Sequence, residues 1–161
     1  MTDLLEFYRG TGTDIRGRTF DDILAFSDDE MEKVHDFIQW IFPLPETSFW
    51  NPDAPLLTPE DIAAFSESSP DHLILIHQVS LACARYMQFL ANTESWRRPT
   101  DHNHLRITRA LRFLTLAGNT GLAHLLHAYC VDAHPGLPDR TLWFWAEAQK
   151  ESPAYLTEKS A

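Results

Sequence analysis

Glycine is scarce, at six residues in a chain of 161. That is too few for a strand-and-turn architecture or for a Gly-rich phosphate cradle. Cysteine is scarcer still. Cys83 and Cys130 are the only two, which cannot build a disulfide framework and which fits a reducing compartment. Basic residues are outnumbered 23 to 13 by acidic ones, for a formal charge of −10, and a surface of that sign repels nucleic acid and anionic lipid. The opening MTDLLEFYRG has no basic stretch followed by an apolar one, so no secretory leader is expected. The longest apolar stretch, Leu73 to Ala91, is interrupted by His77, Gln78, Arg85 and Gln88. A bilayer span needs about 20 predominantly apolar residues, so no integral membrane span is expected and a cytoplasmic location is. There is no G-x-S-x-G, no P-loop and no dinucleotide fingerprint. Nothing nominates an enzyme, a cofactor or a nucleic-acid partner.

What is present is globular and helical. A hydrophobic share of 44% with 22% charged residues is ordinary for a folded domain, and one domain of this size buries roughly 70% of its unfolded surface. Helix punctuation is dense. Thr19 can cap a short helix from Phe20 to Phe26. Ser27 followed by Glu30 reads as a capping box, opening a helix with Met31, Val34, Ile38 and Ile41 at helical spacing and ended by Pro43 and Pro45. Glu46 to Leu57 reads as an irregular, proline-rich connection. Thr58-Pro59-Glu60-Asp61 is a helix start with a hydroxyl cap, a proline at the first position and acids facing the dipole. Ser69-Pro70-Asp71 feeds a long helix to about Asn92. In it Leu75, Ile76, Val79, Ala82, Cys83, Tyr86, Met87, Phe89 and Leu90 share one broad face, with His77, Gln78, Arg85 and Gln88 on the other. Gly118 is placed to end the next helix, Thr120 to Ala133 reads as another, and Pro138 opens a last one through Gln149. The expectation is an all-α, single-domain orthogonal helical bundle of about seven or eight helices over residues 1–150, followed by a polar tail at 151–161.

The run Asp101 to Leu111, DHNHLRITRAL, carries its polarity where an ordinary core helix is apolar. At about 100° per residue, Ile107, Ala110, Leu111, Phe113, Leu114 and Ala117 form one apolar arc. His104, Thr108, Arg112 and Thr115 occupy the polar side, with Leu105, Arg109 and Leu116 on a flank. Arg106 falls on the edge of the apolar arc. A buried guanidinium must be paired, and three partners are open: an acid at Asp14, Asp21, Asp22 or on the helix Asp28 to Asp36, several backbone carbonyls, or an anionic ligand. Asp101 is placed as N-cap, which puts His102 and Asn103 among free backbone N–H groups.

Other constellations are weaker. His127, Cys130 and His134 share a stripe while His124 points away, and a buried free thiol beside surface histidines is the plainer reading. His102 and His104 diverge by about 200° on a helix, which counts against a shared metal. No metal is expected. The acids Asp28, Asp29, Glu30, Glu32 and Asp36 read as helix-start electrostatics plus a solvated face. Trp143, Phe144 and Trp145 are consecutive, so they cannot all face one core, which hints at a homo-oligomer or another interface.

Two motifs, FIQWIFPLP (Phe37 to Pro45) and DHNHLRITRAL, together resemble the conserved domain of the opioid growth factor receptor family. The resemblance extends through LLEFYRGTGTDIRGRTFDDILAF, with its short Asp14-Ile15-Arg16-Gly17, and through NPDAPLLTPEDIAAF. The family commonly has tyrosine where this chain has Phe37. The resemblance implies a folded, non-catalytic domain. Animal members look like receptors for an endogenous opioid pentapeptide, nuclear and perinuclear, with long extensions absent from these 161 residues.

Two readings follow. In the first, the domain binds a small peptide or anionic small molecule through Arg106, Arg109, His102, His104, Gln39 and Trp40, an aromatic wall plus guanidinium that suits a ring and a carboxylate. Arg106→Lys would then weaken binding and leave thermal stability nearly intact. In the second, the domain is a helical scaffold or interaction module, and Arg106 and Gln39 are buried against intramolecular partners. A metal-dependent hydrolase built on the eight histidines is a distant third.

Overall fold

Helices are short in the first third of the chain and long in the rest. A computed structural model describes residues 3–150. It gives α1 (Leu4–Arg9), α2 (Phe20–Leu24), α3 (Asp28–Lys33), α4 (Ile38–Ile41), α5 (Pro59–Phe65), α6 (His72–Asn92), α7 (His102–Leu116), α8 (Thr120–Ala133) and α9 (Asp139–Ala148), with a 3-10 turn at Ser95–Arg97. There is no strand among the described residues, only an isolated bridge between Leu44 and Leu56. The protein is an all-α bundle. The expected tail at 151–161 lies outside the described residues.

Two long helices organise the rest. Helix α6 packs against α1, α2, α3 and α5 on one side and α8 on another, while α7 packs most closely on α8 and α9. One continuous core runs through both groups, with Trp40, Trp96, Trp145, Tyr8, Tyr86 and Phe113 among its largest fully buried side chains. By length and composition α6 is long and apolar enough to cross a membrane, as a core helix can also be, with a mean hydropathy of 1.2 over its most apolar window; 39% of that window is buried inside the fold.

The local signals were obeyed. Thr19, Ser27 and Thr58 each accept from the backbone three residues on and receive a returning carboxylate from Asp22, Glu30 and Asp61. Helix α7 ends in a Schellman turn: Gly118 takes φ +80 and the Asn119 N–H reaches the Leu114 carbonyl at 2.8 Å.

Three expectations need correcting. Helix α1 was not foreseen. The single helix expected from Asp28 to Ile41 is two, because Val34 turns extended at ψ 127. Every residue from Phe37 to Phe42 is buried, whereas α3 buries only Met31, so one straight helix could not serve both segments and the chain turns inward. These two differences bring the α-helices among the described residues to nine. Third, the polar side of α6 is not simply a solvent face: Gln78 and Arg85 are half-buried and bonded to other segments, while Leu73 and Ile74 are 78% and 54% exposed.

Candidate functional site

The polar residues of α6 and α7 spend themselves on backbone carbonyls. A helix leaves its last carbonyls without partners, and five short helices leave many close to the core. The His72 Nδ1–H donates to Phe65 O at the end of α5, 2.8 Å. Gln78 Nε2 donates to Tyr8 O in α1, 2.9 Å. Arg85 donates to Leu24 O at 3.3 Å and Phe26 O at 2.7 Å, just past α2. Arg106 donates to Met31 O at 2.6 Å and Val34 O at 2.8 Å, where α3 stops. Arg109 donates to Phe42 O after α4, 3.1 Å. Each short helix is ended by a side chain of a long one.

Arg106 is therefore paired chiefly with backbone rather than a carboxylate. It is 5% exposed, stands over the Phe37 ring with 5.4 Å to the centroid, and also reaches Asn103 Oδ1 and His35 Nδ1. Burial lowers its pKa, opposed by Tyr86, Glu32 and Asp101. Burial, with Arg112 beside it, brings Arg109 down to about 10, still cationic at neutral pH. Arg112 itself forks onto the Glu46 carboxylate.

The other residues expected at a site scatter. His104 was assigned to the polar side of its helix but is 7% exposed, because the 3-10 turn and α9 cover that side. Its Nε2–H donates to Trp96 O at 2.6 Å, and its own carbonyl accepts from Trp145 Nε1 at 3.2 Å. Trp40 is 1% exposed and edge-on to Phe7, its indole nitrogen without a partner among the described residues. Gln39 is 6% exposed and accepts from Asn51 at 3.4 Å. Only His102 is exposed, between Glu32 at 3.4 Å and Asp101 at 3.8 Å. Four of the six, Arg106, His104, Gln39 and Trp40, are thus buried rather than cleft-lining.

The cysteine and histidine stripe does not converge. Burial pushes the Cys130 thiol up to about 12, His134 donates to Arg98 O at 2.9 Å, and His127 stands edge-on to Trp145. The acids of α3 and the segment after it are engaged as well. Asp28 pairs with Arg85, Asp29 with Lys33, and Asp36 with both Arg16 and Arg18.

An open depression of about 550 Å³ lies elsewhere, lined by Ile15, Arg16, Arg18, His35, Asp36, Trp50, Asn51 and Asp53 among others. The Asp14-Ile15-Arg16-Gly17 turn builds one wall. Asp14 is 1% exposed; its Oδ1 accepts from the Arg16 and Arg18 amides and its Oδ2 from Arg18 Nε, while Gly17 takes φ +81. That turn leaves Ile15 and the Arg16 guanidinium outside. The opposite wall is the loop whose neck is fastened by Leu57 N–H to Leu44 O, and whose Phe49 and Trp50 are 86% and 82% exposed. His35 joins the depression to the interior. Its Nδ1 accepts from Arg106, which places its proton on Nε2, and partial burial and then Arg106 lower its pKa.

These wall residues were missed as a site. Asp14-Ile15-Arg16-Gly17 stood out only as a motif, and its chemistry was not weighed; exposed aromatics inside a proline-rich connection were the second available signal.

The class defined by this geometry is an all-α domain of short helices clamped by two long ones, with a shallow charged depression. The family model for the opioid growth factor receptor (OGFr) conserved region matches residues 5–134, and the chain belongs to that family. No curated protein and no solved structure matches it.

Proposed function

We propose that this is a receptor-like binding domain that takes a short peptide, or a small molecule with an anionic group, in the depression between the Asp14–Arg18 turn and the Trp50 loop. The observation that carries the reading is Trp50, 82% exposed on the wall of that depression. A solvated tryptophan whose one ring neighbour is the equally exposed Phe49, edge-on at 5.1 Å, forfeits burial that a ligand ring would restore. Arg16, paired with Asp36 through Nε, shares its guanidinium with a ligand carboxylate, and Asp53 offers a carboxylate to an amine. Arg106 acts through His35, whose tautomer it sets, rather than by touching ligand.

The test is a titration of tryptophan fluorescence, with Trp50→Phe to isolate the Trp50 share of the five tryptophans, using an opioid pentapeptide bearing free termini and its C-terminally amidated form. Saturable quenching that falls at least tenfold in Arg16→Ala and weakens on amidation supports the reading. No saturation, or saturation unchanged by Arg16→Ala, overturns it.

A second reading, a scaffold for protein partners, draws on Arg106 and Gln39 being bonded within the chain. It predicts no small-ligand titration and capture of a protein partner that Arg16→Ala leaves intact. A cytoplasmic location and a homo-oligomer belong to the proposal as well, the latter supported by Trp143 and Phe144, 58% and 43% exposed beside the buried Trp145. Sedimentation across protein concentrations tests the oligomer.

A further inference from the structure

We infer that Glu32, Asp101 and His102 form a site for one divalent transition-metal ion, of the zinc class, where α3 meets the N-terminus of α7. One ligand atom from each lies within 4.8 Å of the other two. The donors come from parts of the sequence about seventy residues apart, brought together by the same packing that seats Arg106.

The spacing is that of ligands rather than of a closed ion pair. His102 Nε2 stands 3.4 Å from Glu32 Oε1, too long for a strong charge-assisted bond, and Asp101 Oδ1 approaches the other ring nitrogen, Nδ1, at 3.8 Å, so an ion taken by one ring nitrogen draws the second carboxylate round. Two ligands about 2.1 Å from a tetrahedral metal are about 3.4 Å apart. The His102 side chain is 41% exposed, Glu32 27% and Asp101 10%, so an ion has a way in and water can complete the coordination. The outer groups hold the carboxylates. Asn103 Nδ2 donates to Glu32 Oε2 at 3.0 Å and the Asn103 amide to Asp101 Oδ1 at 2.9 Å, while Glu32 Oε1 takes a long bond from Ser95 Oγ at 3.4 Å and faces His102. His35, with its ring centroid 5.4 Å from that of His102, is not a ligand, because Arg106 holds its Nδ1 and the proton sits on Nε2. His104 faces the core.

Charge sets the strength. Two carboxylates attract a dication, while Arg106 behind them and the positive end of α7 oppose it. The balance favours affinity in the micromolar range rather than that of a closed structural zinc site. An imidazole in the set selects zinc and cobalt over magnesium and calcium.

The test uses the full chain without a histidine tag, titrated with Zn²⁺ by calorimetry and with Co²⁺ by visible absorption. The site predicts one ion per chain, a Co²⁺ spectrum of low coordination number, and no binding of Mg²⁺. Glu32→Gln, which keeps the shape that Asn103 holds, lowers affinity at least tenfold, and His102→Ala abolishes it. Absence of stoichiometric binding overturns the inference and leaves the two carboxylates only as counter-charges to Arg106. Binding that survives both substitutions overturns it too, and moves the metal to the other histidines. Circular dichroism of each variant separates lost ligation from lost fold.

Discussion

The short helices α1 to α5 and the long helices α6 to α9 are stable for different reasons. A helix of 4 to 7 residues is too short to persist by propagation, since nucleation costs more than so few hydrogen bonds return. Three of the short ones, α2, α3 and α5, are closed at both ends by specific groups: at the front a capping box, at the back a side chain from α6 or α7. The long ones rest on apolar faces, with seven apolar residues of α6 and six of α7 buried. The polarity of the HNHLRITR run, which reads on a helical wheel like a ligand site, serves the short helices next door.

Substitutions at the clamps and at the faces should therefore fail differently. Arg106→Ala leaves Met31 O and the half-buried Val34 O without their donors, at roughly 2–6 kcal/mol, about 1–3 for each carbonyl; urea unfolding measures it. Leu111→Ala removes fully buried bulk from α7 at about 2–5 kcal/mol. It should lower protection from hydrogen exchange in α7, α8 and α9 together, whereas the Arg106 change begins in residues 28–42. Thr58→Ala removes one half of a capping box and should cost about 1 kcal/mol. That loss should be confined to the front of α5.

The pH response is smaller and also distinguishes the regions. The pKa of His35 is lowered by partial burial, Arg106 and His102, and that of His127 by burial and His124, from an ordinary value of 6.5. With the folded pKa below the unfolded one, the unfolded chain binds the proton first as pH falls. Stability therefore drops as pH descends through about 6.5 and levels once the folded histidines titrate. His35→Gln should flatten part of that slope, read from denaturation midpoints at about pH 7.5 and about pH 5.5. At the smallest end, Lys33→Ala breaks an exposed pair with Asp29 and should cost at most about 0.5 kcal/mol.

Much of the fold was legible because its signals are local. Hydroxyl caps at Thr19, Ser27 and Thr58 marked the starts of α2, α3 and α5, and Gly118 marked the end of α7. What was not legible depends on distant partners. Nothing around Val34 announces a break, since the group that closes α3 there is a guanidinium 72 residues later. The wheel correctly isolated Arg106 and correctly parted His102 from His104. It then put His104 on the wrong side, because α7 is covered by α9 and the 3-10 turn as well as by α8. The depression was hidden for the opposite reason: its walls are a turn and a loop with no periodicity to read, and Arg16 and Trp50 matter by being exposed.

The most direct test is amide hydrogen exchange in Arg106→Lys, which keeps the charge and loses the fork. Clamping predicts that protection over residues 28–42 falls at least about tenfold more than protection over residues 120–148, because lysine cannot serve both carbonyls at once. Protection that falls equally in both regions, or in neither, would contradict it and return Arg106 to the role of a ligand-binding residue.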